Sequence, residues 1–267
     1  MTRRTHADVS RRTYLKLTGG TAAVGATGLA GCLGESGGSM TITPGTAPGF
    51  PPFEMREDGE LVGFDVDLLE AVVEETEYEI DEWATFDFDG LIPALTQNEE
   101  IDVIAAAMTI TEGRQETIAF SDPYWESDQA ILVREGGDFQ PSGWADFEGT
   151  RVGAQSGTTG ADEVEANLVD EGIISEENFS TYDSYVLAVE DLSNENIDAV
   201  VVDNPVAETF AANRDVTIAF VEETGEQFGF GLRQGESELQ SALNDGLATV
   251  QDDGTYQEIT NTWFGQE

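Results

Sequence analysis

Two residues of opposite charge, Arg114 and Asp203, each stand just past an apolar run with the character of a buried strand. Arg114 closes Met108-Thr109-Ile110-Thr111-Glu112-Gly113-Arg114, which follows Asp102-Val103-Ile104-Ala105-Ala106-Ala107; Asp203 follows Ile197-Asp198-Ala199-Val200-Val201-Val202. Open α/β sheets bind ligands at the carboxyl ends of their strands, so this is where a small solute would be met. A guanidinium is a planar fork that fits a carboxylate edge to edge. The alanines before it leave room for a ligand. The spacing suits structural roles equally well: Arg114 as a surface cation beside Glu112 and Glu116, and Asp203 as the cap of a helix entered through Pro205. On spacing alone Phe50, Phe53 and Phe88 read as core aromatics.

Other residue types exclude much chemistry. The single histidine is His6, the single cysteine is Cys32, and no lysine follows Lys16. A folded domain beyond these positions has no imidazole, thiol or amine side chain, which removes most nucleophile-and-base pairs and any imidazole or thiolate metal site. Carboxylates still suit calcium or magnesium, but no acidic cluster has the calcium-loop spacing, and no metal or cofactor is expected. Carboxylate pairs also serve glycoside hydrolysis, yet among 54 acidic residues any pair chosen by eye is arbitrary. Gln155-Ser156-Gly157-Thr158-Thr159-Gly160 lacks the lysine of a phosphate-binding loop, although a helix starting there would offer free N–H groups to a carboxylate.

The elements that position these residues alternate between strand and helix patterns, which predicts an α/β fold. Leu68, Leu69, Val72 and Val73 form one helical stripe, with Asp65 as an early-turn acid. Leu91, Ile92 and Leu95 mark a second helix. After a break at Gly136-Gly137, a strand at Arg151-Val152-Gly153-Ala154 leads into a helix carrying Ala161, Val164 and Leu168. Leu239, Leu243, Leu247 and Val250, then Tyr256, Ile259 and Trp263, predict two closing helices with core-facing stripes.

The 267 residues carry a formal net charge of −43, which disfavours nucleic acid and anionic lipid surfaces as partners. Five of the eleven basic residues fall in the first sixteen positions, so six arginines face all the acids of the remaining chain. Because those acids are interspersed with ordinary apolar segments, they form the skin of a folded protein and not a disordered tail. Such a skin suits salt-saturated surroundings, where charges are screened within about 3 Å.

Ser10-Arg11-Arg12-Thr13-Tyr14-Leu15-Lys16 precedes an apolar, glycine- and alanine-rich run over 17–30, closed by Leu29-Ala30-Gly31-Cys32. The order resembles a twin-arginine export signal ending in a lipobox. It predicts a signal peptide over 1–31, lipid on Cys32 and a flexible tether over 32–39. The run is short of the roughly 20 apolar residues of a membrane span. The expected location is therefore the outer face of the membrane.

From Met40 onward the chain resembles the polar amino-acid binding proteins of ABC importers, the glutamine- and histidine-binding type. The likeness lies in Gly45-Thr46-Ala47-Pro48-Gly49-Phe50-Pro51-Pro52-Phe53-Glu54, Gly63-Phe64-Asp65-Val66-Asp67-Leu68, Phe86-Asp87-Phe88-Asp89-Gly90-Leu91, Met108 to Arg114, Phe120-Ser121-Asp122-Pro123-Tyr124, Gly254-Thr255-Tyr256 and Trp263-Phe264-Gly265. The resemblance implies a type II flytrap of two α/β lobes, 40–123 plus 229–267 and 129–223, joined by hinge strands near 124–128 and 224–228. It further implies that Arg114 grips the α-carboxylate of an amino acid, helped by Thr109 and the backbone around Thr159, that Asp203 and the Ala107 carbonyl hold the α-ammonium, and that Phe50 and Phe88 enclose the side chain. Importer permease subunits are the implied partner of a monomer that performs no catalysis.

Three positions depart from the family: Ala47 stands where an aspartate often reads the ligand's side chain, Gln155 where a lysine or another polar residue can sit, and Val202 precedes Asp203 in place of a polar neighbour. These departures point to a neutral or polar amino acid over a strongly cationic one. Two rivals are an enzyme on the same fold, dehydratase- or lyase-like, and a sensing ectodomain, which would continue into a membrane span and signalling domain where this sequence stops at Glu267. The acidic skin predicts instability in dilute buffer: thermal unfolding of the mature domain, followed by circular dichroism, moves to lower temperature as salt falls from about 3 M, where screening is nearly complete, to about 0.1 M.

Overall fold

The computed structural model describes residues 40–265. The expectations for the signal peptide, Cys32 and the tether up to residue 39 lie outside the described residues. The chain begins with β1 (Met40–Ile42) and β2 (Pro44–Thr46), a hairpin of β3 (Met55–Glu57) and β4 (Glu60–Val62), and helix α1 (Phe64–Glu74). Strands β5 (Tyr78–Ile80) and β6 (Ala84–Thr85), helix α2 (Leu91–Thr96), strand β7 (Val103–Ile104), helix α3 (Glu112–Gln115) and strand β8 (Ile118–Phe120) complete a first half. The long strand β9 (Trp125–Arg134) enters a second half made of β10 (Val152–Gln155), α4 (Thr159–Val164), β11 (Phe179–Tyr182), α5 (Tyr185–Ser193), β12 (Ala199–Asp203) and α6 (Asn204–Asn213). Strand β13 (Val216–Phe228) then leads back to β14 (Gly231–Arg233), α7 (Ser237–Asp253) and α8 (Thr255–Phe264).

Two five-stranded sheets share one plan. The first runs β6-β2-β7-β14-β8 and the second β11-β10-β12-β9-β13. In each, three parallel strands are followed by two that pair antiparallel. Strands buried on both faces explain the unbroken apolar runs of the sequence. In β12, Val200 and Val202 join one core cluster while Ala199 and Val201 join another; in β9, Ala130 and Leu132 alternate with Ile131 and Val133 in the same way.

The helices follow the predicted stripes. Leu68, Leu69, Val72 and Val73 of α1 are buried, as are Leu239, Leu243, Leu247 and Val250 of α7. The two helices approach closely at Gly246, where a Cβ would meet the Val72 carbonyl oxygen at 2.5 Å. Gly63 enters α1 at φ +147°, and a Cβ there would collide with the Phe53 carbonyl. The chain crossings are anchored in aromatics: Trp125 at the start of β9 stacks on Phe264 at 4.2 Å, and Phe228 at the end of β13 meets Phe53 edge-on at 5.3 Å.

Three local features differ from the sequence reading. The strand expected over 102–107 is regular only at Val103–Ile104, because Ala107 turns into the left-handed region at φ +45° and ends the pleat. The helix through Leu168 changes from α geometry to a wider π-type turn over Glu165–Val169. Gly136-Gly137 lies in a turn after β9, which already belongs to the second sheet. Among the described residues no helix is long and apolar enough to cross a membrane.

Asp65, expected as a helix-end acid, also buttresses the first half. It is fully buried, and its Oδ2 accepts from the Ala107 N–H at 2.7 Å and the Tyr124 hydroxyl at 2.6 Å. Burial raises its pKa to about 7 against those two hydrogen bonds, which lower it. An unfolded chain releases that proton near pH 4. Because the folded state binds more protons between the two values, the contribution of Asp65 to stability falls as pH rises from about 4 to 7 and is level above. Urea unfolding at pH 5 and pH 8 gives a smaller difference for Asp65→Asn than for the wild type.

Candidate functional site

The residues singled out in the sequence converge on one narrow cleft between the two halves, lined by Phe50, Phe88, Ala107, Thr109, Arg114, Thr159 and Asp203 together with Ala47, Glu54, Ala106, Gln155 and Thr158. Phe50 follows β2, Ala107 and Thr109 follow β7, Gln155 ends β10, Thr159 opens α4, and Asp203 ends β12. The cleft thus lies past the carboxyl ends of parallel strands from both sheets.

Arg114 is held by a short local device. Thr111 caps α3, its hydroxyl accepting from the Arg114 N–H at 3.2 Å, so the side chain leaves the first turn toward the cleft. Its guanidinium donates to the Thr109 carbonyl at 2.7 Å and, across to the second half, to the Gly157 carbonyl at 3.1 Å. Its Cζ lies 5.3 Å from the centre of the Phe88 ring, within cation–π range. Among the described residues it forms no salt bridge, so the reading as a partner of Glu112 and Glu116 does not hold. Burial lowers its pKa, opposed by the charges of Asp162, Asp203 and Glu226; a guanidinium stays protonated regardless.

Asp203 precedes α6 in the capping position, with Pro205 in the first turn, yet makes no side-chain cap hydrogen bond. Its side chain is turned into the cleft instead, 3 % exposed, with Oδ1 lacking any partner. Burial first, then the charge of Glu226, push its pKa up to about 8. Phe50 is buried and its ring lies 5.6 Å from that of Tyr185, while Phe53 sits in the aromatic core away from the cleft. Thr158 caps α4 through the Ala161 N–H and meets the Tyr185 hydroxyl at 3.0 Å, leaving Thr159 at the cleft.

Direct contacts link the halves over the cleft. The Thr109 and Thr159 hydroxyl oxygens are 3.4 Å apart, and the Ser156 hydroxyl donates to Asp89 at 3.0 Å. Gly157, at φ +74°, lies so near Asp89 that a Cβ would stand 3.0 Å from the Asp89 Cβ. A broader, more open groove of about 990 Å³ involves Phe86, Phe210, Arg56 and Arg214, without the convergent buried polar groups of the smaller site.

Two carboxylates had no individual signal in the sequence reading. Glu54 follows the Phe50-Pro51-Pro52-Phe53 turn, is 1 % exposed, and has no partner on either oxygen. Burial, then the neighbouring charges of Asp65 and Asp203, raise its pKa well above the usual carboxylate value. Glu226, near the end of β13, accepts from Thr109, Thr159 and Gln129 at 2.8, 2.8 and 3.0 Å. One acid among 54 carries no mark of burial, although the isolated position of Glu54 after an aromatic turn is a local hint.

The chain as a whole is similar to known proteins. A "Probable histidine-binding protein" of Campylobacter jejuni is 32 % identical over 228 residues, covering 84 % of this chain and 85 % of the relative. Among solved structures, an ancestral arginine-binding protein bound to glutamine superposes with a TM-score of 0.77 at 38 % identity, covering 85 % of this chain and 98 % of that one. The same kind of protein bound to arginine gives 0.78 at 38 % identity, covering 84 % and 98 %. The fold is the type II periplasmic-binding-protein-like fold expected from the sequence. The model of one family matches residues 42–266, and the chain belongs to that family, the bacterial extracellular solute-binding proteins, family 3.

Proposed function

We propose that this protein captures an L-amino acid outside the cytoplasm and delivers it to an ABC importer. The observation that carries this reading is the pair Arg114 and Asp203, opposite in charge and lining one cleft from its two sides, with one buried Asp203 oxygen left without a hydrogen-bond partner. A buried polar atom without a partner is uncommon in a folded protein, and a ligand ammonium would complete this one. The α-carboxylate would meet Arg114 and the backbone at Thr109 and Thr159, the α-ammonium Asp203 and the Ala107 carbonyl, and the side chain Phe50 and Phe88. Each end then forms a charge-assisted pair that strengthens as closure excludes water.

Residues 40–123 with 229–267 would move against 129–223 about hinges near 124–128 and 224–228. A ligand bridging Arg114 and Asp203 favours the closed state, because it binds that state more tightly. Twin-arginine export and lipid on Cys32 would place the protein, as a monomer in concentrated salt, beside its permease. The named relatives are binding proteins, as their descriptions state, which supports capture over catalysis.

Ala47, Gln155 and Val202 support a neutral or polar side chain such as that of glutamine, which the ancestral relative holds. Glu54 favours a second reading. A buried carboxyl with two open oxygens suits a ligand bearing a side-chain donor, and a cationic one would draw the proton from it. The ancestral relative also holds arginine.

A thermal-shift screen of residues 40–267 in about 3 M salt, chosen to suppress long-range charge effects, tests the reading against the common L-amino acids and their decarboxylated amines. A few amino acids raise the unfolding temperature and the amines do not; no response to any amino acid would overturn it. Binding also moves a proton. With its pKa near 8, Asp203 is largely protonated at pH 7, and a ligand ammonium stabilises its ionised form. Calorimetric titration at pH 7 in buffers of different ionisation enthalpy therefore shows net proton release, which Asp203→Asn abolishes.

A further inference from the structure

Glu226 owes its position to an irregularity in the strand pairing. Along β13 the register passes from Glu222 opposite Gln129 to Glu226 opposite Ser127, so four residues of β13 advance against two of β9. Gly225 takes up the distortion at φ +64°, and its N–H donates to Asp128 Oδ1 at 2.9 Å. Bulges of this kind bend a strand and re-aim a side chain. Here the side chain so placed is Glu226, partly buried, reaching groups of both halves at the edge of the cleft.

Its two oxygens are filled. Oε2 accepts from the Thr109 and Thr159 hydroxyls, both at 2.8 Å, and Oε1 from Gln129 Nε2 at 3.0 Å and the Thr224 hydroxyl at 3.3 Å. A hydroxyl has one proton and two lone pairs, and an ionised carboxylate can only accept. The hydroxyl protons of Thr109 and Thr159 are therefore both directed at Glu226. Thr159 Oγ1 also accepts from Gln129 Nε2 at 3.3 Å. Thr109 Oγ1 retains acceptor capacity at the wall of the cleft, while the carbonyl of the same residue takes a hydrogen bond from Arg114.

We infer that Glu226 is a positioning residue: by holding the Thr109 hydroxyl proton it turns that oxygen into an acceptor for the ammonium end of the ligand. Glu226 does not touch the ligand itself, since four donors already occupy its oxygens. The inference rests on the proposed amino-acid capture and adds a source for discrimination between amino acids and simple carboxylic acids.

The test compares three probes by calorimetric titration: the L-amino acid that most stabilises the wild type, its deaminated acid and its decarboxylated amine. For L-glutamine these are 4-carbamoylbutanoate and 4-aminobutanamide. In Glu226→Gln the new amide donates to a threonine oxygen, freeing a hydroxyl proton to point into the cleft. The preference for the amino acid over the deaminated acid narrows about tenfold, the size of one hydrogen bond to a charged group. Its preference over the amine, set by Arg114, is unchanged. Thr109→Val produces the same narrowing without altering Glu226, and the double variant narrows no further than either single one. If both preferences fall together, or neither moves, the positioning role is wrong. Should Glu226→Gln fail to fold, Thr109→Val carries the comparison alone. A wild type that binds no amino acid overturns the proposed function and this inference with it; a wild type that binds, with unchanged preferences in the variants, overturns only the inference.

Discussion

Two opposite charges withdrawn from water on either side of one cleft set the terms for the rest of this structure. A carboxylate taken into a protein interior must find partners or hold a proton. Asp203 takes the second course, with its pKa near 8, and keeps an oxygen open. Arg114 cannot shed its charge. It rests on two backbone carbonyls, one from each half, and beneath the face of Phe88. A zwitterion of matching length would complete both groups, replacing a proton at one end and supplementing carbonyls at the other.

Such a site needs rigid mounts. The mounts are two sheets of the same plan, each buried on both faces, so that the ends of β7 and β12 are fixed by core packing and not by loops. The two sheets are linked through β9 and β13, paired along most of their length and anchored where Trp125 and Phe228 enter the aromatic cluster of the first half. Beside the site Ala107 adopts a left-handed conformation, held by the Asp65 carboxylate on its N–H. Residues kept in such conformations are often found where geometry is part of function.

Scarcity made half of the site legible in the sequence. Arginine is rare after residue 16, so Arg114 stood out, and Thr111 three residues earlier is the cap that aims it. Asp203 was marked by the valine run before it, but only the structure decides between a cap and a cleft-facing carboxyl, since both follow from the same position next to Pro205. Phe50 and Phe88 were assigned through the family likeness and do line the cleft. The burial of Glu54, Asp65 and Glu226 was not legible: Asp65 reads only as an early-turn acid, Glu54 carries no more than the hint of an aromatic turn before it, and burial in a chain this acidic is a tertiary property. Glu226 in particular depends on a bulge that alternation of residue types does not encode.

The most direct test of the account is calorimetric titration of the best amino acid into Arg114→Ala and Asp203→Asn, each checked for an intact fold. Truncating one partner of a buried charge pair costs roughly 2–5 kcal/mol, so each variant is expected to lose at least about 30-fold in affinity while keeping its secondary structure. Undiminished affinity in either variant would contradict the claim that the ligand spans the two charges across the cleft.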